Sequence, residues 1–299
     1  MGGIVSASRA LVVLLVALGM LHAAAAAGAE GLLWQVRDRR GTVCGHLFGT
    51  LHLCDRSCFP LPQRVVAAFD AADTLVLEID PEAPGLAEAL IAAGRLPAGE
   101  RLDDLLPAAD AERLARAVAA VGIDPTQMQA MRPWLAGTVL AIAAASRAGF
   151  DASFGIEPWL ATRARQHGIS LLALETVGRQ IEALSAAGLA AELESLRQTA
   201  EMIIDDRVRD HFERIRAAWL RGDADELLAM INEQGDEAVL APMTEALIDR
   251  RNREMALRIA ELGCGPSRYF AAVGSAHFGG ERSLVRELER SGRVLAPIR

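Results

Sequence analysis

The sequence predicts an α/β fold: a central mixed β-sheet flanked by helices, with a large helical insertion between two halves. Three observations support this prediction. Short apolar runs near both ends of the chain stop at glycine or at acidic residues, which is typical of buried strands. The middle of the chain, about residues 83–149 and 178–262, is rich in Ala and Leu at helical spacing. Each half also contains a strand-like run that ends in Gly-x-x-His.

The first elements after the N-terminus are predicted to be two strands and a helix. The runs "LLWQVRD" and "GTVCGHLFGTLH" are joined by a turn at residues 39–41, so they form a hairpin. The segment "PLPQRVVAAFDAA" carries its prolines at the start, which is typical of a helix N-terminus. These residues therefore supply the beginning of the sheet and its first covering helix.

Three further strands are expected along the chain. Two of them, "DTLVLEID" and "ISLLALET", end at glutamates, and the second follows a predicted helix that ends at Gly168. The third lies in "SRYFAAVGSAHFGGERSLVREL", which predicts a strand, a turn and a helix. Because the chain has no low-complexity linker and no repeat of 20–50 residues, residues 28–299 are predicted to form a single domain.

Residues 1–27 are predicted to be a signal peptide. Arg9 supplies the positive charge, residues 10–21 the apolar stretch, and the alanines of residues 23–27 the A-x-A cleavage sites. The alternative is an uncleaved membrane anchor, because residues 10–27 are just long enough to span a bilayer. Polyalanine is only weakly hydrophobic, which favours cleavage. We therefore expect an exported protein, periplasmic or secreted, with no membrane association after cleavage.

The charge of the chain limits its partners. Its formal net charge is −8 at pH 7, and it has no long run of lysine or arginine. Nucleic acids and anionic membrane surfaces attract basic proteins, so neither is an expected partner. A peptide or another small exported substrate fits this composition better.

Four cysteines in an exported protein indicate disulfides. Cys54 and Cys58 lie in the short stretch "LCDRSCFP" and are predicted to pair, which leaves Cys44 and Cys264 as the second pair. A thiolate metal site is the alternative, but "CDRSC" has no second Cys/His pair at zinc-finger spacing.

The two Gly-x-x-His motifs are the main candidates for a functional site. Gly49 and His52 end the first strand-like run, and Gly274 and His277 end the last. Parallel strands place such residues at one carboxyl edge of a sheet, where open α/β sheets bind ligands. Glycine allows a sharp turn and a close approach of the backbone. A lone histidine after a strand is usually structural, but two copies in equivalent contexts favour a shared site.

Two glutamates follow strands that would reach the same edge. Glu78 ends "LVLE" and Glu175 ends "LLALE". The alternatives are a solvent-facing strand end for Glu78 and a helix cap for Glu175. Imidazoles and carboxylates together are ligands of zinc, manganese and cobalt sites.

The segment "LIDRRNREMALRI" precedes the second motif. A solvated helix face with ion pairs such as Arg250 with Glu254 would explain most of its charges. It would not explain Asn252, a poor helix former. Arg251 could instead reach a substrate carboxylate or a developing oxyanion.

The paired motifs, together with "LVLEID" and the "RN" segment, resemble the TraB/GumN family, which includes the TIKI proteases. The resemblance covers about residues 31–296. It implies an α/β fold and a metal-dependent peptidase that uses the two motif histidines and a glutamate. In this sequence those residues are His52, His277 and Glu78, with Arg251 and Asn252 as neighbours.

The leading hypothesis is therefore an exported hydrolase, a metal-dependent peptidase. His52, His277 and Glu78 would hold manganese, cobalt or zinc, and the bound water would be the nucleophile. Glu175 or Asp80 would be the general base, and the arginine of the "RN" segment would stabilise the oxyanion.

Two alternatives remain open from the sequence. A His/Glu pair can activate water without a metal, as in an esterase-like hydrolase. The chain could also bind and sequester a peptide or signal without catalysis. Acyl-serine and nucleotide chemistry are disfavoured, since the sequence contains neither a G-x-S-x-G motif nor a Walker-type loop.

Overall fold

The structure, a computed structural model, describes residues 32–233 and 235–298. The predicted signal peptide, residues 1–27, lies outside the described residues. Within the described ranges, no helix is both long enough and apolar enough to cross a membrane.

A six-stranded mixed sheet forms the centre of the fold, in the order β4-β3-β5-β2-β1-β6. The strands are β1 (Leu33–Arg37), β2 (Val43–Thr50), β3 (Thr74–Leu77), β4 (Ser170–Ala173), β5 (Tyr269–Gly274) and β6 (Val294–Pro297). β2, β5, β3 and β4 run parallel to one another, and β1 is antiparallel to both β2 and β6. The predicted α/β fold with a mixed sheet is therefore confirmed.

Helices cover the sheet and fill the long connections between strands. They are α1 (Gln63–Asp70), α2 (Leu86–Ala93), α3 (Ala108–Val121), α4 (Pro125–Gln129), α5 (Pro133–Ala148), α6 (Ile156–His167), α7 (Val177–Ser185), α8 (Leu189–Ile204), α9 (Val208–Arg221), α10 (Ala224–Asn232), α11 (Glu237–Thr244), α12 (Arg250–Glu261) and α13 (Leu284–Arg290). The predicted helical insertion is present. It is divided in two by α6 and the edge strand β4, and its parts pack together through contacts of α5 and α3 with α8.

The central strands are apolar along their whole length because both faces of the sheet are covered. Every residue of β5 is buried, as expected for a parallel strand between two helical layers. Phe48 and Phe270 pack in one layer of the core, while Leu47 and Ala271 pack in the other. Successive residues of β2 and β5 thus point to opposite layers, which fixes the register of the strand ends.

The cysteines pair as the sequence predicts. Cys44 is joined to Cys264, with Cα atoms 4.1 Å apart, and Cys54 is joined to Cys58, with Cα atoms 6.4 Å apart. The first pair connects β2 to the segment after α12. The second closes the loop that follows the first Gly-x-x-His motif.

Candidate active site

The two motif histidines belong to neighbouring parallel strands. β2 pairs with β5 so that Thr50 lies opposite Gly274. His52 therefore leaves the sheet beside the end of β5, and its side chain is 68% exposed. His277 follows β5 in the single helical turn Ser275–Phe278 and is buried. The strand ends thus bring the two motifs to one edge of the sheet.

The two motif glycines are needed for different reasons. A Cβ atom on Gly49 would lie 2.8 Å from Cβ of Leu32, so this glycine permits close packing in the core. A Cβ atom on Gly274 would instead lie 3.2 Å from both Oε1 of Glu78 and Nε2 of His52. The backbone N–H of Gly274 also donates to Oε1 of Glu78 at 2.6 Å. Only the second glycine leaves space at the site.

The ring of His277 is held by Asn252. Nδ1 of His277 lies 2.7 Å from Oδ1 of Asn252, whose amide nitrogen donates to the carbonyl oxygen of Arg282 at 2.8 Å. Since an amide oxygen can only accept, the proton lies on Nδ1 and leaves Nε2 as an acceptor. Burial, with a smaller contribution from the charge of Arg251, lowers the pKa of His277 to about 4. His277 is therefore neutral at pH 7.

Arg251 lies at the centre of the buried part of the site, with 6% of its surface exposed. It is the second residue of α12, which directly follows a π-helical turn, Glu245–Asp249. Such turns are frequent at functional sites. Its Nη2 atom donates to Glu78 and, at 2.8 Å, to Glu175. Its Nη1 atom donates to the carbonyl oxygen of Leu247 at 3.0 Å. Nη1 also lies 3.3 Å from Nε2 of His277.

These contacts change the roles that the sequence suggested for three residues. Both carboxylate oxygens of Glu175 accept hydrogen bonds from Arg251, so Glu175 neutralises the guanidinium and does not face the cleft. The five N–H groups of Arg251 face Glu175, Glu78, the carbonyl oxygen of Leu247 and Nε2 of His277, so no donor is left for an oxyanion. Asp80 accepts from the backbone N–H of Glu82 at 2.9 Å and stabilises the turn after β3.

Glu157, in the first turn of α6, is a site residue that the sequence reasoning missed. Its Oε1 atom lies 2.8 Å from Nδ1 of His52 and accepts from the hydroxyl of Thr50. Its Oε2 atom is buried and has no hydrogen-bond partner among the described residues. The only signal in the sequence is an acidic residue at the start of a helix, which the helix dipole favours in any protein.

The loop after β2 is attached to the start of α6, which explains how Glu157 reaches His52. The backbone N–H of Ile156 donates to the carbonyl oxygen of Leu51 at 3.0 Å. A Cβ atom on Gly155 would lie 2.6 Å from the carbonyl oxygen of His52, so only glycine allows this approach.

The charges of the site shift the pKa values of its acids and bases. The carboxylate of Glu157, which lies against Nδ1 of the ring, raises the pKa of His52 to about 9. Burial would raise the pKa of Glu78, but His277, Arg251 and His52 outweigh it and lower that pKa to about 2. At pH 7 His52 is therefore protonated and Glu78 is ionised.

The site as described carries more negative than positive charge. Three glutamate carboxylates face one guanidinium and one imidazolium, which gives −3 + 2 = −1 at pH 7. If His52 loses its proton, the sum becomes −3 + 1 = −2. Unbalanced carboxylates in a partly buried site favour binding of a cation.

A cleft of about 270 Å³ opens at this edge of the sheet. Its walls come from the ends of β2 and β3 and from the starts of α6 and α7. The lining residues are His52, Leu77, Glu78, Ile79, Pro81, Glu157, Pro158 and Gln180.

Comparison with known proteins identifies the family. The sequence model described as the TraB/PrgY/gumN family matches residues 32–296. The chain belongs to the TraB/PrgY/gumN family. The family predicted from the two histidine motifs is thus confirmed.

Two curated relatives of this TraB/PrgY/gumN chain are both named "Uncharacterized protein YbaP". They come from Escherichia coli (strain K12) and Shigella flexneri. Each is 25% identical over 251 residues, which covers 81% of this chain and 87% of the relative. Comparison with solved structures gave no significant match.

The imidazole nitrogens and carboxylate oxygens of this TraB/PrgY/gumN site are of the types that bind divalent metals. Both motif histidines have Nδ1 engaged by an oxygen atom and keep Nε2 for another partner, as metal-bound histidines do. Nε2 of His52 and Oε1 of Glu78 lie around the space that a Cβ atom on Gly274 would fill. Nε2 of His277 faces Arg251 instead. The described residues accordingly contain no ready group of three His, Cys, Asp or Glu ligands.

Proposed function

We propose that this protein is a metal-dependent hydrolase that cleaves peptides. The observation that carries the proposal is the convergence of His52, Glu78 and Glu157 at one cleft, where His52 and Glu78 flank the space left by Gly274. Two carboxylates and an oriented imidazole are the groups that metal-assisted hydrolysis uses.

The charge of the site supports a divalent ion there. Loss of the His52 proton leaves the site at −2, and a divalent cation would restore neutrality. His52 and Glu78 would hold the ion, and His277 would join them once its Nε2 atom exchanges its contact with Arg251 for the metal. A manganese, cobalt or zinc ion at this position would polarise a carbonyl group and lower the pKa of a water molecule.

The protein's own residues then have distinct tasks. Glu157 fixes the ring of His52 through Nδ1, and its carboxylate lines the cleft where water would enter. Glu157 therefore takes the role of general base that the sequence suggested for Glu175 or Asp80. Arg251 is a positioning residue, because it holds the carboxylate of Glu78.

A second candidate is a metal-free hydrolase. The guanidinium of Arg251 already provides a cation beside Glu78 and His277. In that case the neutral form of His52, with its Nδ1–H held by Glu157, would accept a proton from water at Nε2 while the hydroxide formed attacks the substrate.

One experiment separates these candidates. The purified protein is treated with chelator, assayed on a library of quenched fluorescent peptides, and assayed again after addition of manganese, cobalt or zinc. Cleavage that requires the metal supports the leading proposal, and cleavage unaffected by chelation supports the metal-free hydrolase. Recovery of intact peptide from a stable complex would contradict both and indicate a binding protein.

A matched pair of variants tests the assignment of the base. Glu157→Gln keeps the shape of the side chain and removes its charge, so activity should fall about 100-fold or more. Glu192→Gln removes the charge of a buried glutamate in α8, away from the site, and should keep full activity.

Export is part of the proposal and has its own test. Two cysteine pairs in one chain are typical of proteins that fold in an oxidising compartment. N-terminal sequencing of the protein recovered from a periplasmic or secreted fraction should show cleavage near residue 27. Recovery of the uncut chain from the membrane fraction would instead support the anchor.

A further inference from the structure

The cleft beside the proposed catalytic residues has an apolar side whose surface is only partly covered. Ile79, Pro81 and Pro158 line it and are half-buried, and Leu77, which is fully buried, lines it as well. Ile79 and Pro81 follow Glu78 along the chain, and Pro158 follows Glu157. The apolar wall therefore starts directly beside the two carboxylates.

The size of the cleft limits what it can hold. Pockets for drug-sized ligands measure roughly 300–1,000 Å³. At about 270 Å³, this cleft has room for one amino-acid side chain and the peptide bonds next to it. A long folded segment would not fit between the ends of β3 and α6.

The polar groups of the cleft restrict the charge of that side chain. Its described lining includes Glu78 and Glu157 but no lysine or arginine. An acidic side chain against the apolar wall would lose its hydration without gaining a partner. Gln180, which also lines the cleft, supplies a neutral amide that can both donate to and accept from a peptide backbone.

We infer that the cleft is a specificity pocket that takes an apolar residue of a peptide and excludes an acidic one. Ile79, Pro81 and Pro158 contact the side chain, and Gln180 hydrogen-bonds the adjacent peptide group. The inference rests on the proposed function for its place beside the scissile bond. The selectivity itself is a property of binding and can be measured without cleavage.

The test measures binding of blocked tripeptides, acetyl-Gly-X-Gly-amide, with X as Leu, Asp or Lys. Nuclear magnetic resonance titration of the metal-free protein gives the affinities. We expect the Leu peptide to bind about tenfold or more tightly than the Asp peptide, with shifts at the cleft residues. Equal affinities, or no binding of the Leu peptide at millimolar concentration, would overturn the inference.

A variant should reverse the preference. Ile79→Glu places a carboxylate on the apolar wall, so the affinity for the Lys peptide should rise relative to the Leu peptide by about tenfold. Gln180→Glu, on the surface of α7, provides a second test if Ile79→Glu folds poorly. Leu257→Glu, at a leucine 61% exposed on α12, is the control and should leave the preference unchanged.

Binding and cleavage separate the two ideas. Selective binding of the Leu peptide without hydrolysis of any peptide would contradict the proposed function and support the specificity pocket. Hydrolysis with no dependence on X, in either binding or rate, would keep the function and contradict the pocket.

Discussion

Nδ1 of His52 lies 2.8 Å from Oε1 of Glu157, although the two residues come from different elements of the fold. His52 follows a strand of the central sheet, whereas Glu157 begins a helix that leads to the edge strand β4. The contact fixes the orientation of the imidazole and leaves Nε2 facing the cleft. It also supplies the charge that keeps His52 protonated at neutral pH.

The first prediction concerns this pair. In Glu157→Gln the pKa of His52 should fall from about 9 toward the value of about 6.5 for a free histidine, because the attracting carboxylate is lost. Titration of the imidazole signals by nuclear magnetic resonance measures the change. If His52 still titrates near pH 9 in this variant, Glu157 is not its partner.

The same pair predicts a loss of stability at alkaline pH. The folded-state pKa of His52 is raised above its unfolded value, so the stabilisation is complete below about pH 6.5 and disappears as the pH rises through about 9. The melting temperature of the wild type should therefore decrease across this range. Glu157→Gln should show a flatter profile, with Glu192→Gln as the matched control.

A second prediction concerns metal binding, measured by calorimetry on the chelator-treated protein. A metal at Nε2 of His52 must displace the proton that Glu157 favours. The affinity for the metal should therefore increase about tenfold per pH unit from pH 7 to 9, and each binding event should release about one proton. His52→Ala should abolish this binding, whereas His167→Ala, at an exposed histidine at the end of α6, should not.

Neighbouring arginines of α12 provide a third prediction. Arg251→Met leaves Glu78 and Glu175 buried without their partner, which should cost about 3–5 kcal/mol of the free energy of unfolding. Arg253→Met removes an exposed pair with Glu245 and should cost at most about 1 kcal/mol. Chemical denaturation measures both. Equal losses would mean that the buried cluster is not held together by Arg251.

The buried histidine of the second motif predicts the response to acid. The folded-state pKa of His277, about 4, lies below its unfolded value, so the unfolded chain takes up the proton first. Its stabilisation is complete above about pH 6.5 and falls, by about 3 kcal/mol, as the pH approaches 4.

Denaturation of His277→Gln between pH 6.5 and 4 tests this contribution. His46 and His211 also have pKa values lowered by burial, so the wild type loses stability through several groups. The acid loss should be smaller in His277→Gln than in the exposed-site control His167→Gln. The same slope in both variants would contradict the prediction.

The two motif glycines predict different phenotypes. Gly274→Ala places a methyl group 3.2 Å from His52 and Glu78, so activity should fall at least about tenfold while the melting temperature changes little. Gly49→Ala places the methyl group 2.8 Å from Cβ of Leu32 in the core, so its main effect should be a lower melting temperature. Thermal melting and the peptide assay distinguish the two. Full activity in Gly274→Ala would show that the reaction does not use the space beside Gly274.

Much of the sheet edge could be predicted from the sequence. Apolar runs that stop at Gly49, Glu78, Glu175 and Gly274 indicate strand ends, and parallel pairing then brings those ends together. The fold class and the convergence of His52, Glu78 and His277 depend only on such local signals.

The rest of the site depends on how helices dock on the sheet. The position of Glu157 follows from the backbone contact between Leu51 and Ile156, which no local pattern encodes. The charges of α12 have the same spacing whether Arg251 faces water or the core. Only the packed structure shows that it is buried between Glu78 and Glu175.

The bond between Cys44 and Cys264 joins residues separated by 220 positions. Nearly all of the helical part of the chain lies between them, whereas β2 and β5 are neighbours in the sheet. A single proteolytic cut in the helices would therefore leave the two motif histidines in fragments that are still covalently joined. Such a nicked protein would run as one band on a gel without reductant and as two bands with it.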